Sequence, residues 1–150
     1  MLGFQIPDTN SGKLLYDSGA IMEEDMDLII GGAYQGKLAC AKKRYGLAEG
    51  DIFTCTEAEG IRFGARCIDR IEEFTLWCVR NEKDALTIFR DNRDKWKDSV
   101  LICQDIFCGV VPMGADMRAW REMTGRLAAY LAEEADSVTR MFCGLETKLK

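Results

Sequence analysis

A glycine-rich segment near residue 31 has the residue types and the spacing of a phosphate-binding loop. Gly31 and Gly36 bracket four residues, and Lys37 follows the second glycine. This is the pattern GxxxxGK[ST], in which the backbone wraps a phosphate, the amide N–H groups point inward and the lysine neutralises the outer phosphates. The expected phosphate contacts are Gly31, Gly32, Ala33, Tyr34, Gln35, Gly36, Lys37 and Leu38.

Leu38 stands where this pattern has serine or threonine. A hydroxyl at that position would coordinate Mg²⁺, and a leucine side chain cannot. We therefore expect Mg²⁺ binding to be weaker than the full pattern provides, or to depend on water and on other acids. The alternative interpretation is a glycine-rich turn that only joins a strand to a helix.

Asp105 is the second residue that suggests chemistry, because it follows the apolar strand predicted over 99–103. P-loop proteins place at such a strand end the acid that holds Mg²⁺ or its water. We predict Lys37 and Asp105 as catalytic residues, with Asp105 as the Mg²⁺ ligand. An ordinary strand-end aspartate or a helix cap is the alternative.

Composition and charge exclude several classes of function. The chain has 150 residues and a formal net charge of −5, which argues against a general binder of nucleic acid or of membrane surfaces. It contains no histidine, so Ser-His and Cys-His catalysis, histidine metal ligation and phosphohistidine intermediates are excluded. No apolar stretch reaches the length of about 18 residues that a membrane span requires.

The cysteines indicate a reducing compartment. The chain has seven, an odd number, and no two form a CxxC pair. Most lie inside apolar runs, which favours buried free thiols over a disulfide framework. With no basic N-terminal segment followed by an apolar run, the sequence predicts a cytoplasmic protein.

Strand and helix patterns alternate along the chain, which predicts an α/β domain with a mainly parallel sheet covered by helices. Residues 1–25 are predicted to be an extension, poorly ordered or loosely docked, and residues 26–150 to form the compact domain. Asp116 is placed to cap the last helix. The predicted strands cover 27–30, 51–55, 99–103, 137–143 and 145–149, and the predicted helices cover 38–45, 64–80, 83–95 and 117–131.

Three segments are similar to one known family. The loop from Ile30 to Lys37 is similar to the family's I-T-G-G-A-R-S-G-K-S, and the segment from Val100 to Pro112 to V-L-V-T-N-E-V-G-x-G-I-V-P. The likeness continues to Asp136, and 143–150 is similar to S-G-I-x-x-x-I-K. The chain thus resembles the adenosylcobinamide kinase / adenosylcobinamide-phosphate guanylyltransferase family of cobalamin biosynthesis, which implies a P-loop NTPase-like three-layer fold.

The resemblance implies further properties. The family binds GTP or ATP with Mg²⁺ on the loop, phosphorylates a side-chain hydroxyl of the corrinoid, and then transfers GMP through a guanylyl-histidine. By analogy, Thr54, Cys55 and Thr56 would border the nucleotide, and the protein would be a homo-oligomer. Without histidine the guanylyl step cannot follow the family's route. The family's Asn-Gln pair in the last helix is also replaced, by Ala128-Ala129.

Three functions stay open at this point. The first is a kinase-only relative that transfers phosphate from GTP or ATP to a corrinoid hydroxyl. The second is a non-catalytic protein that binds a nucleotide or a corrinoid on the same fold. The third is an interaction module whose phosphate loop is vestigial. The partners expected are a nucleotide and a corrinoid, with neither nucleic acid nor membrane.

Overall fold

The computed structural model of the chain describes residues 25–109 and 114–150. The predicted extension over 1–25 lies, except for its last residue, outside the described part. So do residues 110–113 of the segment that resembles the family.

A single six-stranded sheet organises the described residues, in the order β2-β3-β4-β1-β5-β6. Neighbouring strands from β2 through β5 pair in parallel, and β6 pairs with β5 in the antiparallel sense. The predicted α/β class and mainly parallel sheet are therefore confirmed. The strands are β1 Asp27–Gly31, β2 Ile52–Thr54, β3 Cys67–Asp69, β4 Val100–Gln104, β5 Ser137–Phe142 and β6 Leu145–Lys148.

Helices cover both faces of this sheet, which gives the three layers of a P-loop NTPase-like fold. On one face, Cys40 and Ala41 of α1 pack against Ile29, Ile102 and Met141. The larger core lies on the other face, where α2, α3 and α5 pack around Phe74, Phe89 and the fully buried Trp96. The helices are α1 Lys37–Tyr45, α2 Ile71–Arg80, α3 Ala85–Asp91, α4 Arg93–Trp96 and α5 Ala115–Glu134.

The helix predicted over 64–80 is wrong in its first half. Residues Cys67–Asp69 form β3, and α2 begins only at Ile71. Arg70 separates the two elements with a left-handed backbone (φ 61°). Cys67 and Ile68 are both fully buried, as in a parallel strand covered on both faces, and such a short apolar run has no periodicity that distinguishes strand from helix.

Two smaller predictions also need correction. The helix predicted over 83–95 is interrupted at Asn92, which ends α3 and precedes α4. Asp116 does not cap α5, because the N-cap position is Gly114. Asp116 lies in the first turn, where its negative charge interacts favourably with the positive end of the helix dipole. The predicted C-terminal glycine of α1 is confirmed, since Gly46 adopts φ 61° and its N–H bonds to the Lys42 carbonyl.

The cysteines are all free, and the prediction of buried thiols holds for five of the seven, Cys108 and Cys143 being exposed. Within the described ranges, none of the helices combines the length and the apolar character needed to cross a bilayer.

A buried carboxylate connects the start of β1 to the far end of α1. Asp27 is 0% exposed and accepts hydrogen bonds from the Arg44 guanidinium (2.7 Å), the Tyr45 hydroxyl and the Ser137 hydroxyl (2.8 Å). Arg44 also contacts Thr139 and Glu146, so the network spans α1, β1, β5 and β6. Cys40 and Ala41 are the buried residues of α1, and Tyr45 packs against the same core, so the polar network adds to the attachment of that end of the helix.

We expect Asp27→Asn to lower the free energy of unfolding by about 2–4 kcal/mol, because it removes the charge that three buried or half-buried donors share. Urea denaturation measures the change. Asp98→Asn, at an exposed aspartate before β4, is the matched control and should leave the midpoint nearly unchanged. Equal midpoints for the two variants would contradict the anchoring role of Asp27.

Candidate phosphate-binding site

The glycine-rich loop follows β1 at the carboxyl edge of the sheet and leads directly into α1. Gly31 allows a close approach, since a Cβ atom there would lie 2.6 Å from the backbone oxygen of Met141 on β5. Gly36, at the N-cap of α1, adopts φ 94°, a conformation that side chains other than glycine rarely take. Both glycines are therefore required by the path of the backbone.

The first turn of α1 presents free backbone donors. The Cys40 N–H is bonded to the Gly36 carbonyl, which leaves the three preceding N–H groups of the helix without a partner inside it. In this described helix, no side chain caps the N-terminus and no acidic residue lies in the first turn. The positive end of the helix is thus open to an anion.

Lys37 folds back across the loop. Its Nζ donates a 2.6 Å hydrogen bond to the Gly32 carbonyl. An ammonium group has three donors, so two remain for a ligand. The lysine therefore holds the loop in shape and still places a positive charge over it.

A cavity of about 370 Å³ opens in front of the loop. One side is the loop and the first turn of α1, and the other is formed by side chains that follow β3 and β4. The lining residues are Ala33, Tyr34, Gln35, Gly36, Lys37, Leu38, Ala39, Asp69, Arg70, Glu72 and Gln104. Of the eight predicted loop residues, which form one continuous segment of the chain, six line the cavity.

Two carboxyl groups that the sequence analysis missed face Lys37 across this cavity. Asp69 ends β3 and is 8% exposed, and Glu72 lies in the first turn of α2 and is 4% exposed. Glu72 accepts a 2.8 Å hydrogen bond from the Gln104 N–H and lies 3.7 Å from the Arg70 Nε. The rule applied to Asp105, an acid at the end of a buried strand, would have found Asp69 if β3 had been recognised.

The electrostatics of Asp69 reflect this crowding. Burial, followed by the neighbouring Glu72 carboxylate, raises the pKa of the Asp69 carboxyl above its ordinary value. A backbone hydrogen bond at Arg70 and the charges of Arg70 and Lys37 act in the opposite direction. Keeping Asp69 ionised in this site therefore costs free energy, and a bound cation would offset that cost.

Asp105 lies beside the loop but does not line the cavity. Its N–H donates to the Gly31 carbonyl (3.1 Å), and a Cβ atom on Gly32 would lie 4.0 Å from its Oδ1. It follows β4, the strand next to β1. Its predicted role as a Mg²⁺ ligand stays a prediction, and Asp69 and Glu72 are the acids nearer to the cavity.

The segment Thr54-Cys55-Thr56 lies farther away. It begins at the last residue of β2, which is separated from β1 by two strands, so β2 and β1 are about 14 Å apart at the usual strand spacing. Cys55 is buried in the larger core, and burial raises the pKa of its thiol. None of the three residues lines the loop cavity, and contact with a nucleotide there stays a prediction.

The loop also touches the last hairpin. The Gln35 side chain accepts a hydrogen bond from the Cys143 N–H, and a Cβ atom on Gly36 would lie 3.8 Å from Gly144. Tyr34 is fully exposed at the tip of the loop. The loop therefore lies between the acids that follow β3 and the turn between β5 and β6.

The raised pKa of Asp69 has a measurable consequence. A carboxyl whose pKa is higher in the folded than in the unfolded state destabilises the fold as the pH rises through that interval. We expect Asp69→Asn to increase the free energy of unfolding at neutral pH, and the gain to shrink as the pH falls toward 3.8, the ordinary value. Urea titrations at several pH values measure it, with Asp98→Asn as the exposed control. A gain that does not depend on pH would contradict this electrostatic explanation.

Comparison with known proteins identifies a family. The sequence model of the family described as cobinamide kinase / cobinamide phosphate guanyltransferase matches residues 77–149, from α2 to the end of β6. The matched segment does not include the phosphate loop. No curated protein matches the chain. The match confirms the resemblance found in the last third of the sequence, and it supports membership of this chain, which lacks histidine, in the adenosylcobinamide kinase / adenosylcobinamide-phosphate guanylyltransferase family.

Proposed function

We propose that the chain binds GTP or ATP in the loop cavity and transfers the terminal phosphoryl group to a side-chain hydroxyl of a corrinoid. The observation that carries this proposal is the cavity itself. It combines the open N-terminus of α1, the Lys37 ammonium and the Asp69 and Glu72 carboxyls within one space. Family membership supports a transferase of cobalamin biosynthesis.

The cavity has the donors that a polyphosphate needs. Free backbone N–H groups and a lysine ammonium bind phosphate oxygens, and the glycine path lets these groups converge on one anion. In phosphoryl transfer the same groups stabilise the charge that develops on the transferred group and on the leaving diphosphate. Lys37 and the loop amides take this role here.

The acids on the opposite wall suit the acceptor end of the reaction. The acceptor oxygen forms a bond to the terminal phosphorus while the bond from that phosphorus to the bridging oxygen breaks. The hydroxyl proton goes to a carboxylate, and the nucleoside diphosphate leaves with the bridging oxygen. We assign the proton acceptor to Asp69 or Glu72, which lie across the cavity from Lys37.

The residues present fit Mg²⁺ only in part. Mg²⁺ is held in such sites by one or two carboxylates together with phosphate oxygens and water, and whichever of Asp69 and Glu72 does not accept the proton would provide one carboxylate. Leu38 offers no hydroxyl, and among the described residues no three cysteine, aspartate or glutamate side chains are grouped so that they could hold a metal ion. When bound with the nucleotide, the ion would neutralise phosphate charge.

The absence of histidine limits the reaction to the first of the family's two steps. A covalent guanylyl-histidine cannot form on this chain, because no histidine occurs in the sequence. We therefore propose phosphoryl transfer without guanylyl transfer.

A second candidate is a non-catalytic protein that binds a nucleotide or a corrinoid. Leu38 and the missing histidine both remove groups on which the family's catalysis depends. The family's Asn-Gln pair is here Ala128-Ala129, and both alanines line an apolar groove between α5 and the sheet. Nucleotide binding without turnover of cobinamide would favour this candidate.

Lys37→Ala should weaken nucleotide binding by about a hundredfold, since it removes a charged donor from the phosphates. Titration calorimetry with GTP and with ATP, each with and without Mg²⁺, measures the loss. Lys97→Ala, at an exposed lysine after α4, is the matched control and should bind like the unaltered protein. Unchanged affinity in Lys37→Ala, or no binding of either nucleotide to the unaltered protein, would reject the proposal.

Leu38→Thr tests the metal in a separate way. The new hydroxyl restores a ligand for Mg²⁺ at the first turn of α1, so Mg²⁺ should increase the affinity for nucleotide by a larger factor than in the unaltered protein. Calorimetry in the presence and absence of Mg²⁺ measures that factor. Leu38→Val, which has the same branched shape as threonine without the hydroxyl, is the control. An equal Mg²⁺ effect in the two variants would mean that the nucleotide does not bind at this turn.

A further inference from the structure

Arg70 is, among the described residues that line the loop cavity, the one cation on the wall that faces Lys37. It joins β3, which ends at Asp69, to α2, which begins at Ile71. Its side chain is 55% exposed. The phosphoryl transfer proposed for this cavity uses Lys37, the loop amides and two carboxyls, and it assigns no part to the Arg70 guanidinium.

The local structure at Arg70 is unfavourable for an arginine. Its backbone adopts φ 61° and ψ 49°, a left-handed conformation that residues other than glycine, asparagine and aspartate rarely take. It is also the N-cap residue of α2, where the positive end of the helix dipole disfavours a cation. An arginine side chain has no acceptor atom with which to cap the helix. Residues held in such conformations cluster at ligand sites, so this arginine is better explained by binding than by stability.

The ion pairs of Arg70 leave its guanidinium available for a ligand. Its Nε lies 3.7 Å from a Glu72 carboxylate oxygen, and its Nη2 lies 3.5 Å from a Glu73 oxygen. Both distances exceed the length of a strong charge-assisted hydrogen bond, about 2.7–2.9 Å. Ion pairs of exposed side chains contribute little to stability. Because a guanidinium has five N–H donors, a phosphate oxygen can bind to it at little cost to these contacts.

Asp69 lies within electrostatic reach of both cations of the cavity. Burial, the largest effect, raises the pKa of its carboxyl, whereas the charges of Arg70 and Lys37 both lower that pKa. Lys37 is held on the loop by its 2.6 Å hydrogen bond to the Gly32 carbonyl, and Arg70 is held on the opposite wall by the strand that ends at Asp69. The two cations therefore face one space from two sides.

We infer that Arg70 binds the terminal phosphate of a nucleoside triphosphate in the loop cavity and thereby discriminates triphosphates from diphosphates. This inference rests on the proposed function. The loop amides and Lys37 would hold the inner phosphates, so the terminal phosphate is the group that reaches the opposite wall. Without Arg70, that phosphate would face the Asp69 and Glu72 carboxylates, which repel it.

A guanidinium suits this position better than an ammonium group. Its planar fork donates to two phosphate oxygens at once, and it remains charged at every physiological pH. A positive charge here also stabilises the oxygens of the phosphoryl group during transfer. Since the diphosphate product has no terminal phosphate at this wall, the contact is lost when the phosphoryl group leaves, which favours release of the product.

The alternative role of Arg70 is structural, as the counter-charge of Glu72 and Glu73. Acids in the first turn of α2 already interact favourably with the helix dipole, so they do not require a cation at the N-cap. The two roles predict different binding behaviour. Loss of a structural counter-charge would change the affinity for triphosphates and diphosphates alike, whereas loss of a terminal-phosphate contact would change the affinity for triphosphates alone.

Arg70→Asn should lower the affinity for GTP by about tenfold or more and leave the affinity for GDP nearly unchanged. Asparagine tolerates the left-handed backbone, so the variant should fold. Titration calorimetry with GTP and GDP measures the ratio, with ATP and ADP as the second pair. Arg80→Asn is the matched control, because Arg80 lies at the other end of α2, is 52% exposed and pairs with Glu57. It should bind both nucleotides like the unaltered protein.

Two further variants separate the contributions to binding. Lys37→Ala should weaken GTP and GDP together, because the loop holds the phosphates that both nucleotides share. Arg70→Lys keeps the charge without the planar fork, so its ratio of GTP to GDP affinity should lie between those of Arg70→Asn and the unaltered protein. Retained binding of GDP by Arg70→Asn would itself show that the loop and the fold are intact.

An equal effect of Arg70→Asn on GTP and GDP, or no effect on either, would overturn the inference and leave the proposed function standing. The same holds if Arg80→Asn lowers the ratio as much as Arg70→Asn does. If the unaltered protein binds neither GTP nor ATP, the proposed function fails and this inference fails with it. A selective loss of triphosphate affinity in Arg70→Asn, partly restored in Arg70→Lys, would establish the contact.

Discussion

The buried carboxylate of Asp27 joins the two elements that flank the glycine-rich loop, because it lies at the start of β1 and accepts hydrogen bonds from the end of α1. The loop itself is short and rich in glycine, so its position is set by the elements at its two ends. β1 lies in the middle of the sheet between β4 and β5, and its place is secure. Cys40 and Ala41 are the buried residues of α1, and at its far end Arg44 and Tyr45 donate to Asp27 while Tyr45 also packs against the core. A carboxylate with three donors is satisfied inside the protein, whereas the loss of its charge leaves Arg44 with less compensation.

In contrast to Asp27, the carboxyl groups at the other end of the strands are poorly compensated. Asp69 and Glu72 are two acids in a confined space, and burial together with their mutual repulsion raises the pKa of Asp69. Hydrophobic residues there would give a more stable protein. Under the proposed function, the cation that accompanies the polyphosphate would supply the positive charge that these carboxylates lack.

The last hairpin connects the glycine-rich loop with the edge of the sheet. Its turn contacts the loop through Gln35 and Gly36, while its outer strand carries the exposed leucines. Arg44 joins the same strand to the Asp27 network through Glu146. The family match covers this hairpin but not the glycine-rich loop, and the two regions meet at the turn between β5 and β6.

Local sequence patterns were sufficient to predict the glycine-rich loop, β4 and α5. The glycine spacing predicts the loop because only glycine allows the backbone path at Gly31 and Gly36. The apolar run of β4 and the three- and four-residue steps of α5 are long enough to show their period. The composition excludes histidine chemistry without any structure. The alternation of strands and helices predicts a parallel sheet because a crossover helix must cover the face of the sheet.

The strand order and the partners of the acids depended on tertiary structure. β3 has three residues, too few for a period, and its strand conformation comes from pairing with β2 and β4, which are distant in sequence. Because β3 was not recognised in the sequence, nothing indicated that Asp69 and Glu72 lie near Lys37. Asp105 was the acid predicted at the end of a strand. The sequence by itself determined that a glycine-rich loop with the spacing of a phosphate-binding loop follows a buried strand. Only the folded sheet decided which carboxyls face it, because that choice depends on which strands lie side by side, and strand order is a long-range property.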